Sequence, residues 1–455
     1  MQIVYFAYII FVVILIFVLL PRLKNKPFMV LILSWMLLYP VMSNPDFMIS
    51  IDFLGFDLQP NRVLFIILAP VLFLSTVTST HYQRANKSKN NIGLHWFEKF
   101  IILFIITATI ASFMNIQNVS TRKTIANVTQ IISFLLVFFS AKRFISRDDF
   151  KILSLVIIGY AAISSILGTL QFFVDPQFFR TGTTLGAFGS FSRANGFFSS
   201  EYYQGLFLIL AFVLGMGTIS NKLMKIFIIG IISVGIFLTM HRLSWLVFIL
   251  IAMIIWALSN RGSSLKIAIS FLMGSILLLI IIFIPQSRIL SQRGMVRFLE
   301  GRVMVDNLSI RLVLNEFALD LIRKYPQGIG DIWTDLYNHE ASIYPKPIPF
   351  REYGALSIHN GFLSAGVKYG VIGFFTFTFI YVSAIFFFIR NKINLNIALY
   401  VPVLSVFTIF LFNSTQDFSF LGSQLNIHFA LLLGSFTAIV NAELSKVPNK
   451  PNLPG

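Results

Sequence analysis

Four short segments carry the side chains best suited to chemistry in this chain. The first is Phe191-Ser-Arg193-Ala-Asn-Gly-Phe-Phe-Ser-Ser-Glu201-Tyr-Tyr. The second is Thr239-Met-His241-Arg242-Leu-Ser-Trp245. The third is Ser309-Ile-Arg311-Leu, and the fourth runs from His359-Asn360-Gly to Lys-Tyr-Gly370-Val-Ile-Gly373. Arginine is the preferred partner of phosphate oxygens, because its planar fork binds them in pairs and never loses its proton. Imidazole is the side chain best matched to accepting a proton near neutral pH. Three arginines and a histidine with few carboxylates among them therefore suit a pyrophosphate leaving group and an activated hydroxyl.

Each residue also has an ordinary reading. A lone arginine at the end of an apolar segment commonly snorkels to a membrane interface. Arg193 and Arg311 could be solvated loop charges, and His359 a hydrogen-bonded structural histidine. Glycines 361, 366, 370 and 373 could serve close helix packing. His81 and His95 fall in a basic loop and suggest no chemistry. The six histidines lack metal-ligand spacing, and the chain has no cysteine, so neither a metal site nor a thiol nucleophile is expected. No phosphate-binding glycine loop, dinucleotide fingerprint or Gly-x-Ser-x-Gly elbow occurs.

The elements that must position these residues are apolar throughout. Of 455 residues 56% are hydrophobic and 12% charged, with 51 phenylalanines and a mean hydropathy of +0.82. This excludes an ordinary soluble or disordered chain. Apolar runs fall at roughly 1–20, 28–43, 62–79, 98–114, 124–140, 151–174, 200–219, 226–240, 243–258, 267–284, 361–389, 397–412 and 425–441. The expected fold is all-α and polytopic, with about thirteen transmembrane helices (twelve to fourteen). The first run is read as a span rather than a cleaved leader.

Net charge is +17, from 35 Lys and Arg against 18 Asp and Glu. With no nucleic-acid motif, that excess reads as loop charge. Arg22/Lys24/Lys26, Arg84/Lys87/Lys89, Lys142/Arg143/Arg147, Lys222/Lys225, Arg261/Lys266, Arg390/Lys392 and Lys446/Lys450 occupy alternate loops, which should face the cytoplasm. The expected organisation is helices 1–10 over 1–284, a large extracytoplasmic loop over 285–358, helices 11–13 over 359–441 and a cytoplasmic tail over 442–455. The loop holds nine basic and eight acidic residues, and a segment this long crosses the membrane regardless of charge. Within it, 311–325 reads as an amphipathic helix, 326–331 as a turn and 344–349 as extended. No internal repeat is visible.

In order and spacing these segments resemble the bacterial O-antigen ligase and O-antigen polymerase family, over roughly residues 160–390. Arg193-Ala-Asn-Gly-Phe is similar to the family's Arg-x-x-Gly-Phe, and Met240-His-Arg242 to its arginine turn. Arg311 with Tyr325-Pro-Gln-Gly-Ile-Gly330 is similar to its outer-loop Arg…Pro-x-x-Gly-x-Gly. His359-Asn-Gly-Phe-Leu with Gly370-Val-Ile-Gly373 resembles its loop-closing motif. The arginine turn departs from the family's Ser-x-Ser-Arg, which leaves the identity of the base between His359 and His241 slightly open.

The resemblance implies a metal- and cofactor-independent, inverting glycosyltransferase of the bacterial inner membrane, with its active face extracytoplasmic. Arg242 and Arg311 would hold the pyrophosphate and His359 would be the general base. Arg193, His241, Asn360 and Glu201 would contact substrate, and Glu201 and Asp331 rank as alternative bases. The donor would be an undecaprenyl-pyrophosphate-linked oligosaccharide. Repeat-unit polymerisation for O-antigen, capsule or exopolysaccharide is the preferred outcome. Ligation to a lipid A core sugar is the alternative, and protein O-glycosylation a lesser one. Membrane lipids, a chain-length regulator and a flippase are the expected partners, and nucleic acid is not. A transporter or flippase is the reading from another class, and it would require the arginines and histidine at mid-membrane depth.

Overall fold

The structure is a computed structural model that describes residues 26–42, 52–53, 56–57, 94–115, 121–180, 192–259, 302–331, 334–351, 354–391, 400–415 and 425–444. Residues 10, 14, 70 and 119 are also described, apart from the rest. The expected spans at 1–20, 62–79 and 267–284 lie outside these segments, apart from those isolated residues. So do the first part of the large loop, the tail and the basic residues between 84 and 89.

Twelve helices are present among the described residues: α1 Pro27–Met42, α2 Trp96–Met114, α3 Thr121–Phe144, α4 Arg147–Phe173, α5 Glu201–Thr218, α6 Lys222–Leu238, α7 Arg242–Ser259, α8 Arg302–Lys324, α9 Asp335–Ser342, α10 Gly361–Arg390, α11 Tyr400–Thr415 and α12 Asn426–Leu444. Two antiparallel pairs accompany them, β1 Asp52–Phe53 with β2 Phe56–Asp57, and β3 Phe350–Arg351 with β4 Gly354–Ala355. α2, α4, α5, α10 and α12 are long and apolar enough to cross a membrane.

Helix starts follow local chemistry. Ser146 accepts a hydrogen bond from the Asp149 amide, and the Asp149 carboxylate accepts one from the Ser146 amide, a reciprocal cap for α4. Ser200, Asn221 and Asn360 cap α5, α6 and α10 in the same manner, each satisfying amides that have no partner inside the helix.

The bundle packs α10 on α2, α3 on α12, and α4, α5 and α6 on one another, with α11 between α5 and α10. Phenylalanines supply most of the shape: Phe104 of α2 meets Tyr369 and Phe377 of α10 at 5.6 and 5.2 Å, and Tyr381 stacks on Phe429 at 5.6 Å. At one end, charged groups are buried in pairs. Glu98 is fully buried against Lys142 at 2.5 Å, Lys26 pairs with Asp149, and His95 reaches Asn441 at 2.8 Å. His95 thus joins the end of α12 to the start of α2, a role its placement in a loop did not suggest.

A second, smaller core lies beyond the other end. It joins Leu314, Phe317 and Leu321 of α8 to Tyr337 of α9, Ile358, and Leu363 and Val367 of α10. α8 starts nine residues before the expected amphipathic segment. Phe317 and Leu321 face the core as anticipated, whereas Leu312 and Leu319 are exposed.

The apolar run 361–389 is not one continuous helix. α10 breaks at Gly370, which takes φ 76° and ψ −172°. The break strips the Val367 and Lys368 carbonyls and the Val371 amide of their helical partners. The loop after α8 replaces them: Ile329 N–H donates to Val367 O at 2.9 Å, Gly330 N–H to Lys368 O at 3.1 Å, and Val371 N–H to Pro326 O at 2.9 Å. Buried backbone polar groups must find partners within the protein, and this strap supplies them. Side chains are excluded on both sides. A Cβ at Gly328 would stand 2.4 Å from Lys368 O, and one at Gly370 2.1 Å from Pro326 O, both at positive φ. Gly370 therefore serves the backbone crossing rather than helix packing, while Gly366 does lie against Ile322 of α8.

Gly370→Ala should cost at least about 2 kcal/mol, from forced left-handed backbone and a clash with carbonyl oxygen. Gly230, in α6, has open space where a Cβ would go, so Gly230→Ala should be neutral or stabilising by up to about 1 kcal/mol. Thermal melting of the detergent-purified protein by intrinsic fluorescence checks both. Equal melting temperatures for the two variants would contradict this account of the break.

Candidate functional site

The site is built at the end of the bundle where α5 begins, α6 turns into α7 and α8 packs down. The α6–α7 connection is as tight as the sequence indicated, with Thr239, Met240 and His241 alone between the helices. Met240 takes φ 49°, a left-handed conformation unusual for a residue with a Cβ. The turn thereby puts Arg242 at the first position of α7 and His241 immediately outside it. Ala194 N–H donates to Leu238 O at 3.0 Å, tying the Arg193 loop to this turn.

The Arg193 loop is held from beneath by Gln171 of α4. Its amide donates to Phe178 O and Gly196 O, each at 3.0 Å. Its oxygen accepts from the Asn195 and Gly196 amides at 3.1 and 2.8 Å. Arg180 is buried, and one of its terminal nitrogens donates to Arg193 O at 2.7 Å. Burial pulls its pKa down and nearby Glu201 partly offsets that. Neither Gln171 nor Arg180 stood out in the sequence, because the contacts that matter are made to residues 13 to 25 positions away.

Arg193 reaches Glu201, in the first turn of α5, at 3.0 Å. Its charge also bears on Arg242 and on His241, and the charge of Arg311 bears on His241 as well. The structure therefore brings Arg193, Glu201, His241, Arg242 and Arg311 into one neighbourhood, from three separate stretches of chain. Arg242 and Arg311 are half-buried. Burial lowers the pKa of Arg311, yet a guanidinium stays protonated at any physiological pH.

His241 is held in one protonation state. Its Nδ1 lies 2.8 Å from the Ser244 hydroxyl and 3.4 Å from the Ser244 amide. An amide can only donate, so Nδ1 is the acceptor and the ring hydrogen resides on Nε2. Burial pulls the imidazole pKa down to about 3, and the Arg193 and Arg311 charges act in the same direction. At neutral pH His241 is therefore a neutral hydrogen-bond donor. Its ring packs against Tyr202 and Phe412, at 5.6 and 6.3 Å.

His359 and Asn360 stand where the loop re-enters the bundle. Asn360 Oδ1 accepts from the Phe362 and Leu363 amides at 3.0 and 3.1 Å, so it is engaged as the cap of α10. His359 is half-buried, directly after Ile358, which shares the smaller core with Leu314 of α8. The spans were expected to be nearly free of charge, but Lys368 is buried within α10, 3.5 Å from Asp331. That pair is the alternative base Asp331 met by a cation.

A comparison with curated proteins finds no match. A comparison with family models matches one described as O-Antigen ligase over residues 227–378, about a third of the chain. The matched stretch runs from α6 through the break in α10 and contains Arg242, Arg311, His359 and Lys368, while Arg193 and Glu201 precede it. This match, with several helices apolar and long enough to span a membrane, supports assigning the chain to the O-antigen ligase/polymerase family of membrane proteins.

Proposed function

We propose that the protein transfers a glycan from undecaprenyl pyrophosphate to an acceptor sugar hydroxyl on the outer face of the cytoplasmic membrane. The observation that carries this reading is the convergence of Arg193, Arg242 and Arg311 around a neutral His241, with Arg193 also paired to Glu201. Such a surplus of positive charge is costly to assemble and becomes favourable when an anion binds. A pyrophosphate supplies two phosphoryl groups for the guanidinium forks.

The acceptor hydroxyl oxygen attacks the anomeric carbon and the carbon–oxygen bond to pyrophosphate breaks with its electron pair. The hydroxyl proton passes to His359. Arg242 and Arg311 neutralise the departing charge, Arg193 contacts the phosphate or the first sugar, and His241 Nε2–H donates to an oxygen of the leaving group. Attack from the face opposite the pyrophosphate inverts the anomeric centre. Such a mechanism asks the protein mainly for position and charge.

Repeat-unit polymerisation is the preferred outcome. The matched model's description as a ligase favours keeping transfer to a lipid A core sugar as the second reading. The transporter reading is disfavoured by placement: Arg242 opens α7 and His359 lies just before the cap of α10, both at helix ends rather than mid-span. A chain-length regulator and a flippase remain the expected protein partners.

In a deletion strain, the wild-type gene should restore the envelope-polysaccharide ladder on gels, and His359→Ala and Arg311→Ala should not. Arg311→Lys should recover part of the activity, because it keeps the charge and loses the bidentate fork. Loss of a transition-state charge partner is worth about 2.7–4 kcal/mol, or roughly a hundred- to a thousandfold in kcat. Single repeats on the core would mark a polymerase, and bare core with polymer on the lipid carrier a ligase. Full activity in either alanine variant at normal protein level would refute that residue's role.

The rate should fall on the acid side, because the imidazole base must be unprotonated. His241 titrates near 3, so it contributes nothing to that acid limb. His241→Asn should lower the rate and leave the midpoint of the limb in place, measured with purified protein and a lipid-linked donor. A midpoint that moves in this variant would make His241 the base.

A further inference from the structure

The strap across the α10 break connects two parts of the site that are far apart in sequence. α8 carries Arg311 and ends at Lys324, and the strap residues Pro326 to Gly330 follow at once. The half-helix Gly361–Tyr369 that they grip is the one that His359 and Asn360 open. Three backbone hydrogen bonds, three positive-φ glycines (328, 330 and 370) and one buried ion pair, Lys368 with Asp331 at 3.5 Å, converge on these few residues. The Asn115 side chain, at the end of α2, donates to Gly328 O at 3.3 Å and ties the strap to the bundle. The Lys368 side chain is 11% exposed and that of Asp331 16%. A pair so enclosed holds its geometry firmly, and removing one partner leaves the other charged and uncompensated.

We propose that the Lys368–Asp331 pair and the strap act as a positioning device for the transfer reaction. They fix α8 against the half-helix behind His359, and so set the separation between a pyrophosphate-binding arginine and the base. Lys368 and Asp331 are positioning residues in this assignment, and neither touches substrate. The proposal rests on the transferase reading above. It assigns a specific task to a lysine buried inside an apolar helix and to the two glycine-bearing loop motifs.

The test compares Asp331→Asn, Lys368→Met, Lys368→Arg and the charge swap Asp331→Lys/Lys368→Asp. Misplacing reacting groups by about an ångström costs on the order of a hundredfold in rate. Each neutralising variant should therefore lose about that factor in kcat, with the donor KM nearly unchanged, the signature of an interaction realised in the transition state. Lys368→Arg should retain activity, and the swap should recover much of what either single change loses. A second readout is independent of catalysis. The chain has no cysteine, so spin labels at cysteines replacing the exposed Leu319 of α8 and Ile372 of α10 report the geometry directly. The distance distribution should be narrow in the parent, broad in the neutralising variants and narrow again in the swap.

Neutralising variants with normal kcat and a narrow distribution would overturn the device. If Arg311→Ala and His359→Ala are inactive in the same assay, that result leaves the transferase reading standing. Loss of activity with a narrow distribution and no recovery in the swap would also overturn it, and would give Asp331 or Lys368 a chemical role. Should Arg311→Ala and His359→Ala both stay active, the transferase reading fails, and with it the catalytic purpose of the device.

Discussion

Backbone polar groups that leave a helix inside an apolar bundle have to be satisfied by protein, and this constraint shapes the functional half of the molecule. α10 breaks at Gly370, and the two carbonyls and one amide released there are taken up by the segment that follows α8. The consequence is long-range. α8 cannot drift over the bundle surface, because the segment after its C-terminal end is stitched into α10. The smaller core of Leu314, Phe317, Leu321, Tyr337, Ile358 and Val367 then packs around a fixed seam. The loop is therefore a structural continuation of the bundle, and Arg311 is presented from a rigid support.

The arginine neighbourhood obeys a second rule, that like charges are held together by groups other than themselves. Arg193 is steadied by Glu201 and by a loop that Gln171 and Arg180 grip through its backbone. Arg242 is fixed by the turn through Met240, and Ala194 links that turn to the Arg193 loop. Among these supports Glu201 alone carries negative charge and Arg180 adds a further cation, so the field at the site stays positive. The energy stored in the repulsion is returned when a polyanion arrives, which favours a ligand of high charge over neutral sugars alone.

Much of this was legible in the sequence, and the reasons are local. Ten apolar runs coincide with helices because span length is read directly from hydropathy. The turn at Met240-His-Arg242 was visible as two residues between the runs 226–240 and 243–258, and the caps at Ser146, Ser200 and Asn360 follow known preferences. What escaped notice depends on distant partners. The run 361–389 is apolar throughout, so nothing in its hydropathy marks Gly370 as a break, and only contact with Pro326 reveals it. Lys368 reads as a stray charge until Asp331 is found beside it. Gln171 resembles any polar residue near a helix end, and its four hydrogen bonds exist only after folding. Helix existence is encoded in composition, whereas the seams between helices are encoded in pairs.

The two histidines also separate by physical role. His241 faces three constraints that all disfavour the imidazolium: enclosure, two nearby guanidinium charges, and a Ser244 amide that occupies Nδ1. A ring so placed has no lone pair left to accept a proton and can act only through Nε2–H. His359 lies instead before the cap of α10, on the chain segment that links the smaller core to the bundle. In the proposed reaction the ring held among the arginine charges is thus the poorer base, and the division of labour between donor and acceptor follows from where each ring is held.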